Sequence, residues 1–244
     1  MKESGFREHE LLSEKIYDRL LRLEVWLQEK GLRKIPITER RIGDYIVDLF
    51  PEYFRKEDEL IDYLENKIVA DIGSGKTHKN PYSLINVATR KGKNIKFFGI
   101  DPTAGQTQKE KKQPGFIANK TNEIIRKLFS LDKVSVPSRP AEKSIIGAKA
   151  ENLPIADQKV DIILSDFFVT YWIRNSQQLL EIFKEFKRVL NVRGEIRLSP
   201  VTPQYEKMLF DGKNDLGIYM NENFIITNLD DRQGDSGLLI LKPR

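Results

Sequence analysis

Apolar residues recur at helical spacing through the first part of the chain. Leu12, Ile16, Leu20, Leu23 and Leu27 mark one helix over residues 7–30, and Gly31 stands where a C-terminal cap belongs. Thr38 is placed to cap a second helix through Ile42, Ile46 and Leu49, which Pro51 ends. A third helix is predicted over 56–66. From Lys67 the pattern changes: short continuous apolar runs alternate with amphipathic stretches. The runs predict strands at 68–71, 95–100, 145–148, 160–165 and 195–198. Asn80 and Pro81 suit the start of a helix reaching Lys91, and Leu179, Leu180, Phe183, Phe186 and Leu190 give residues 176–190 one apolar face. The run at 160–165 lacks polar alternation, as a parallel strand buried on both faces does. Residues 223–227 and 237–241 predict a closing antiparallel pair.

The order predicts an α/β fold: a mostly parallel seven-stranded sheet, helices on both faces, an antiparallel closing pair and an N-terminal helical arm. Residues 1–66 form the arm, read either as packing against the sheet or as a lid over a substrate. Residues 67–244 form the α/β domain, with a long insertion at 103–144. The insertion holds a helix near 119–129 and the Pro-broken stretch VSVPSRP. Connections of that length are usually functional or mobile.

Composition narrows the chemistry. The 244 residues are 39% hydrophobic and 32% charged, which suits a globular chain with a core. No apolar run approaches the roughly eighteen residues that span a bilayer. The opening MKESGFREHE has no apolar signal segment, so a cytoplasmic location and no membrane partner are expected. There is no cysteine, and His9 and His78 are the two histidines, which argues against a thiolate nucleophile, a Ser-His-Asp triad or a metal site built on these residues. The net charge of +5 is concentrated: residues 105–150 hold ten Lys or Arg against four Asp or Glu, a net +6. Such a segment can meet an anionic partner.

The most informative stretch is KIVADIGSGKT at 67–77, followed by FFGIDP at 97–102. In each, an apolar run ends in an acid, and the first acid opens a Gly-x-Gly turn, as at the nucleotide sites of parallel sheets. Two readings compete. Residues 70–77 fit a loose P-loop pattern, with Lys76 on phosphates, Thr77 on magnesium and Asp166 as a second magnesium acid. Against it, Asp71 sits beside the supposed triphosphate, Ala70 replaces the first glycine, and the helix is expected at Asn80 rather than Lys76. In the second reading Gly73 and Gly75 let backbone approach an adenosine ligand, Asp71 attracts an ammonium group directly or through water, and Asp101 accepts both ribose hydroxyls. A dinucleotide fingerprint fails because His78 stands where its third glycine belongs.

Five pieces in order resemble the class I S-adenosylmethionine-dependent methyltransferases: ADIGSG, GIDP, KAENLPIADQKVDIILSD, FKEFKRVLNVRGEIRL and the closing strand pair. The resemblance covers about residues 66–241. It implies a Rossmann-like fold and S-adenosyl-L-methionine as cofactor. Carried over, Asp71, Gly73, Ser74 and Gly75 line its methionine end, Asp101 binds the ribose and Pro102 lies near the adenine. Ala150 and Glu151 flank the adenine edge, and Ser165, Asp166 and Phe167 face the methyl group. KTHKN at 76–80 replaces the usual continuation of the turn, with Lys76 as a salt-bridge partner for the cofactor's carboxylate.

Methyl transfer needs a base only where the acceptor must lose a proton. Asp166 and Tyr171 are the catalytic candidates, with Tyr17 or Tyr45 of the arm as alternatives. Phe167, Phe168, Tyr171 and Trp172 are placed to wall an acceptor pocket. After the fourth strand the sequence is SDFF, not the Asn/Asp-Pro-Pro-Tyr/Phe of enzymes that methylate nucleic-acid amino groups. A small-molecule acceptor is therefore expected. The alternative is RNA held by residues 105–150, which carry no stacking aromatics beyond Phe116 and Phe129.

Overall fold

The structure is a computed structural model, and it describes residues 40–54, 56–75, 82–102, 145–173, 175–230 and 237–244. The helix expected at 7–30, the cap at Thr38, Asn80 and Pro81, and the whole insertion at 103–144 lie outside these residues.

Two helices, α1 (Ile42–Asp48) and α2 (Glu57–Leu64), precede the first strand. The element order then runs β1 (Ile68–Ile72), α3 (Leu84–Arg90), β2 (Lys96–Ile100), β3 (Ile145–Ile146) and β4 (Val160–Asp166). It continues with a wide turn at Phe168–Trp172, α4 (Ser176–Val189), β5 (Leu190–Val201), α5 (Pro203–Phe210), α6 (Asp215–Asn223), β6 (Phe224–Asp230) and β7 (Gly237–Pro243). The seven strands lie in the order β3-β2-β1-β4-β5-β7-β6. The first five pair in parallel, and β7 runs antiparallel to both β5 and β6. This is the expected α/β architecture with its closing pair.

Strand alternation divides the core. On one face Ala70, Ile72, Ile163, Ile196 and Leu198 pack under Leu179, Phe183 and Phe186 of α4 and Leu216 and Met220 of α6. On the other, Val69, Ile162, Leu164, Leu238 and Ile240 pack under Tyr45, Ile46, Leu60, Leu64 and Leu84 of α1, α2 and α3. A buried arginine ties the arm helices to the sheet. Arg197 of β5 donates through Nη1 to the Leu49 carbonyl at 2.7 Å, pairs through Nε with Glu195 at 2.6 Å, and lies 4.2 Å over the Phe50 ring.

Several boundaries differ from expectation for local reasons. The helix after the Gly-rich turn starts at Leu84, where the Ser83 hydroxyl accepts the Asn86 N–H. The helix expected to reach Leu190 ends at Val189, because Leu190 is already extended and opens β5. That strand is far longer than 195–198 and bulges against β4. Helices α5 and α6 were not expected. Thr202 and Asn214 cap them, accepting from the Tyr205 and Gly217 N–H groups. At α4 the cap is Asn175, whose Oδ1 accepts the Gln178 N–H at 3.0 Å. Replacing Asn175 by alanine is expected to lower stability by about 1 kcal/mol in urea denaturation. No helix among the described residues is long and apolar enough to cross a membrane.

Candidate active site

The strand order reverses between β1 and β4, and the carboxyl ends of these two strands with β2 form the crevice where open α/β sheets bind ligands. The Gly-rich turn leaves β1 there. Gly73 has φ +75° and Gly75 φ +57°. The Gly73 N–H donates to the Ile100 carbonyl at 2.8 Å, and the Gly75 N–H donates to Asp101 Oδ2 at 3.0 Å. Asp101 is itself held by its backbone N–H on the Ile146 carbonyl. Turn, ribose candidate and β3 are thus joined at one strand end. Gly73 is required for a second reason: a Cβ there would lie 2.4 Å from the Cβ of Phe168.

Asp71, next to last in β1, and Asp166, last in β4, lie on the same sheet face as Val69, Ile162 and Leu164, and therefore point toward α1. Between them lies Arg40, which sequence reading did not single out. Its relative exposure is 5%, against 0% for Asp71 and 3% for Asp166. Nη1 donates to Asp71 Oδ1 at 2.7 Å. Nη2 donates to the Gly73 carbonyl at 3.2 Å and to the Asp166 carbonyl, and Nε lies 3.4 Å from Asp166 Oδ2. The Tyr45 hydroxyl donates to the other Asp71 oxygen at 2.5 Å. Asp166 Oδ1 is buried and has no hydrogen-bond partner among the described residues.

Burial dominates the titration of this cluster. It raises the Asp71 carboxyl above its usual range, opposed by Arg40 and by the Tyr45 hydrogen bond. It raises Asp166 well above the carboxylate range, opposed by Arg40 and reinforced by Asp48, Asp71 and Asp44. For Arg40, burial disfavours the charge, but Asp71 and Asp166 outweigh it and hold the guanidinium charged. Burial, then the Asp71 charge, raises the Tyr45 phenol well above its ordinary value. Tyr45, the alternative base of the arm, is a hydrogen-bond donor to Asp71.

The exit from β4 is unusual. Phe167 takes a left-handed conformation, φ +60°, and its N–H donates to the Ser199 carbonyl at 2.6 Å. Left-handed backbone at a bulky residue is costly and clusters at functional sites. Ser165 is buried, and its hydroxyl accepts the Val169 N–H, fixing the start of the wide turn. Such i→i+5 turns also favour functional sites. Ser74 is buried beside Gly99. Pro102 follows Asp101 and is exposed. Ala150 is buried, while Glu151 accepts a 2.6 Å hydrogen bond from Gln178 of α4. Tyr17, Lys76, Thr77 and the side chains of Tyr171 and Trp172 lie outside the described residues.

These residues suit the cofactor implied by the sequence: two glycines with positive φ form the turn, Asp101 stands at the next strand end, and Asp166 carries a buried acceptor without a partner among the described residues. They suit a P-loop poorly, because the buried Asp71 carboxylate lies directly behind the turn, where a triphosphate would meet its charge.

No curated protein matches the chain by sequence. Among solved structures, it is similar to a protein from Pyrococcus horikoshii OT3, at 15% identity over 80% of this chain and 90% of that one, TM-score 0.45. Magnesium protoporphyrin IX methyltransferase from Synechocystis PCC 6803, with bound SAM, is 13% identical over 91% of each chain, TM-score 0.42. A TehB-like SAM-dependent methyltransferase from Corynebacterium glutamicum is 14% identical over 96% of this chain and 99% of that one, TM-score 0.46. A family model described as a methyltransferase domain matches residues 71–198, from Asp71 near the end of β1 to Leu198 within β5. That match spans more than half of the chain and both strand ends of the crevice, and the chain therefore belongs to the class I S-adenosylmethionine-dependent methyltransferases.

Proposed function

We propose that the chain transfers the methyl group of S-adenosylmethionine to a small-molecule acceptor. The observation that carries this reading is the β4 exit, where Asp166 is followed by a left-handed Phe167 and a wide turn, with no Pro-Pro run. S-adenosylmethionine supplies a methyl group already activated on a sulfonium sulfur, so the chain's task is alignment. Gly73 and Gly75 shape the turn at the amino-acid end, and Asp101 accepts from the ribose hydroxyls while bracing Gly75. Ala150 and Glu151 serve the adenine edge. Ser165 and Phe167 set the direction in which the acceptor meets the methyl group. Asp166, raised above the usual carboxylate range by burial, takes a proton through Oδ1 from an acceptor that must lose one. Tyr171 is the second candidate for that role.

Asp101→Ala is expected to weaken cofactor binding by about 2 kcal/mol, roughly thirtyfold, in calorimetric titration. Unchanged affinity would remove Asp101 from the ribose site. The acceptor class is tested with isotopically labelled S-adenosylmethionine and a cell extract divided into small-molecule and RNA fractions. Label in the small-molecule fraction supports the proposal. The basic segment 105–150 favours an RNA acceptor as the second reading. Label in RNA, falling steeply as salt rises, would establish that reading instead.

A further inference from the structure

The sequence offers Asp71 to a ligand's ammonium group, yet in the folded chain that carboxylate is already occupied. One oxygen accepts from Arg40 and the other from Tyr45, and the residue has no exposed surface. The same guanidinium also takes the carbonyls of Gly73 and Asp166. Carboxylate and carbonyls together are an acceptor set for one cation, at the ends of β1 and β4. We infer that Arg40 is a specificity-determining residue that fills this seat itself, so that the α-amine of the cofactor contributes little to binding. The inference rests on the S-adenosylmethionine reading above.

Local geometry favours permanent occupation over displacement. The backbone around Arg40 is anchored: the Ile42 N–H donates to the Tyr82 carbonyl at 2.8 Å, and the Arg41 N–H donates to Asp44 Oδ2 at 2.7 Å. Withdrawing Arg40 would strip a buried charge of its partners. A guanidinium is also charged at every working pH, so it cannot vacate the seat by losing a proton. An incoming ammonium would find the Asp71 oxygens and both carbonyls already holding hydrogen bonds. What is left for the ligand at this end is the wall of the Gly-rich turn, not the carboxylate behind it.

The test needs no variant. Calorimetry on the unmodified chain compares S-adenosylhomocysteine with its desamino counterpart, which lacks the α-amine alone. The two are expected to bind within about threefold of each other, and a loss of about tenfold or more on removing the amine would overturn the inference. Arg40→Gln frees both carbonyls and is expected to create that amine dependence, at about tenfold or more. A folded Arg40→Gln chain that stays indifferent to the amine would also overturn it. Should that variant not fold, the comparison in the unmodified chain still decides. If the folded, unmodified chain binds neither thioether, the cofactor reading itself fails and takes the inference with it, whereas strong binding of the amine-bearing ligand alone overturns only the inference.

Discussion

Replacing Arg40 by methionine is expected to lower stability by about 3–5 kcal/mol near neutral pH, measured by urea denaturation. The change removes one cation and leaves the carboxylates of Asp71 and Asp166 buried, with Tyr45 still serving one Asp71 oxygen. The deficit should depend on pH in a defined direction. Burial already raises both folded-state carboxyl pKa values above their unfolded ones, and loss of Arg40 raises them further. A group raised in this way stabilises the fold fully below its unfolded pKa and loses that contribution as pH rises through the folded one. The deficit of Arg40→Met should therefore be largest above the folded-state carboxyl titrations and shrink as the medium is acidified through them toward the unfolded carboxyl range, about pH 4. A deficit below about 1 kcal/mol, or one indifferent to pH, would show that the strand ends do not depend on this cation.

Gly73→Ala is expected to cost about 2–5 kcal/mol and to impair cofactor binding with it. Left-handed backbone at a residue with a Cβ costs about 1–2 kcal/mol. Crowding adds about 1–3 kcal/mol, because the new methyl meets the Phe168 Cβ, which is fixed to its own backbone and cannot swing away. Gly92→Ala is the matched control. Gly92 has φ +69°, and a Cβ there would meet nothing within 4 Å. It should show the backbone cost alone. Equal losses in the two variants would mean that Phe168 yields freely and that the β1 turn and the β4 exit are not mechanically coupled.

The sheet is legible in the sequence because its buried strands are short continuous apolar runs bounded by turn residues, as at Ile68–Ile72 and Val160–Asp166. The Gly-rich turn and Asp101 are legible for the same reason, as they follow those runs directly. Helices α5 and α6 are harder to read: each is under ten residues long with a weakly amphipathic face, and Thr202 and Asn214 are the signals that mark them. The wide turn at Phe168–Trp172 has no periodic signature at all. Arg40 is hidden differently. It sits in the charged run ERRIGD, which reads as solvated surface, and its partners lie 31 and 126 residues away. The one clue is indirect: two acids ending adjacent buried strands require a cation somewhere.

The seat of the arm helices carries a consequence for biosynthesis. Tyr45, Leu60 and Leu64 are shared with Leu238 and Ile240 of β7, and Arg197 of β5 anchors the stretch between α1 and α2. The ribosome delivers these partners in the opposite order from the one assembly requires. Helices α1 and α2 emerge early, but the surface that receives them is complete only when the seventh strand has slotted between β5 and β6. Until then β1, α3 and β4 cover their apolar faces only in part. Closure of this face thus waits on β7, and a chain stalled before that strand would carry sticky apolar surface rather than a smaller finished sheet.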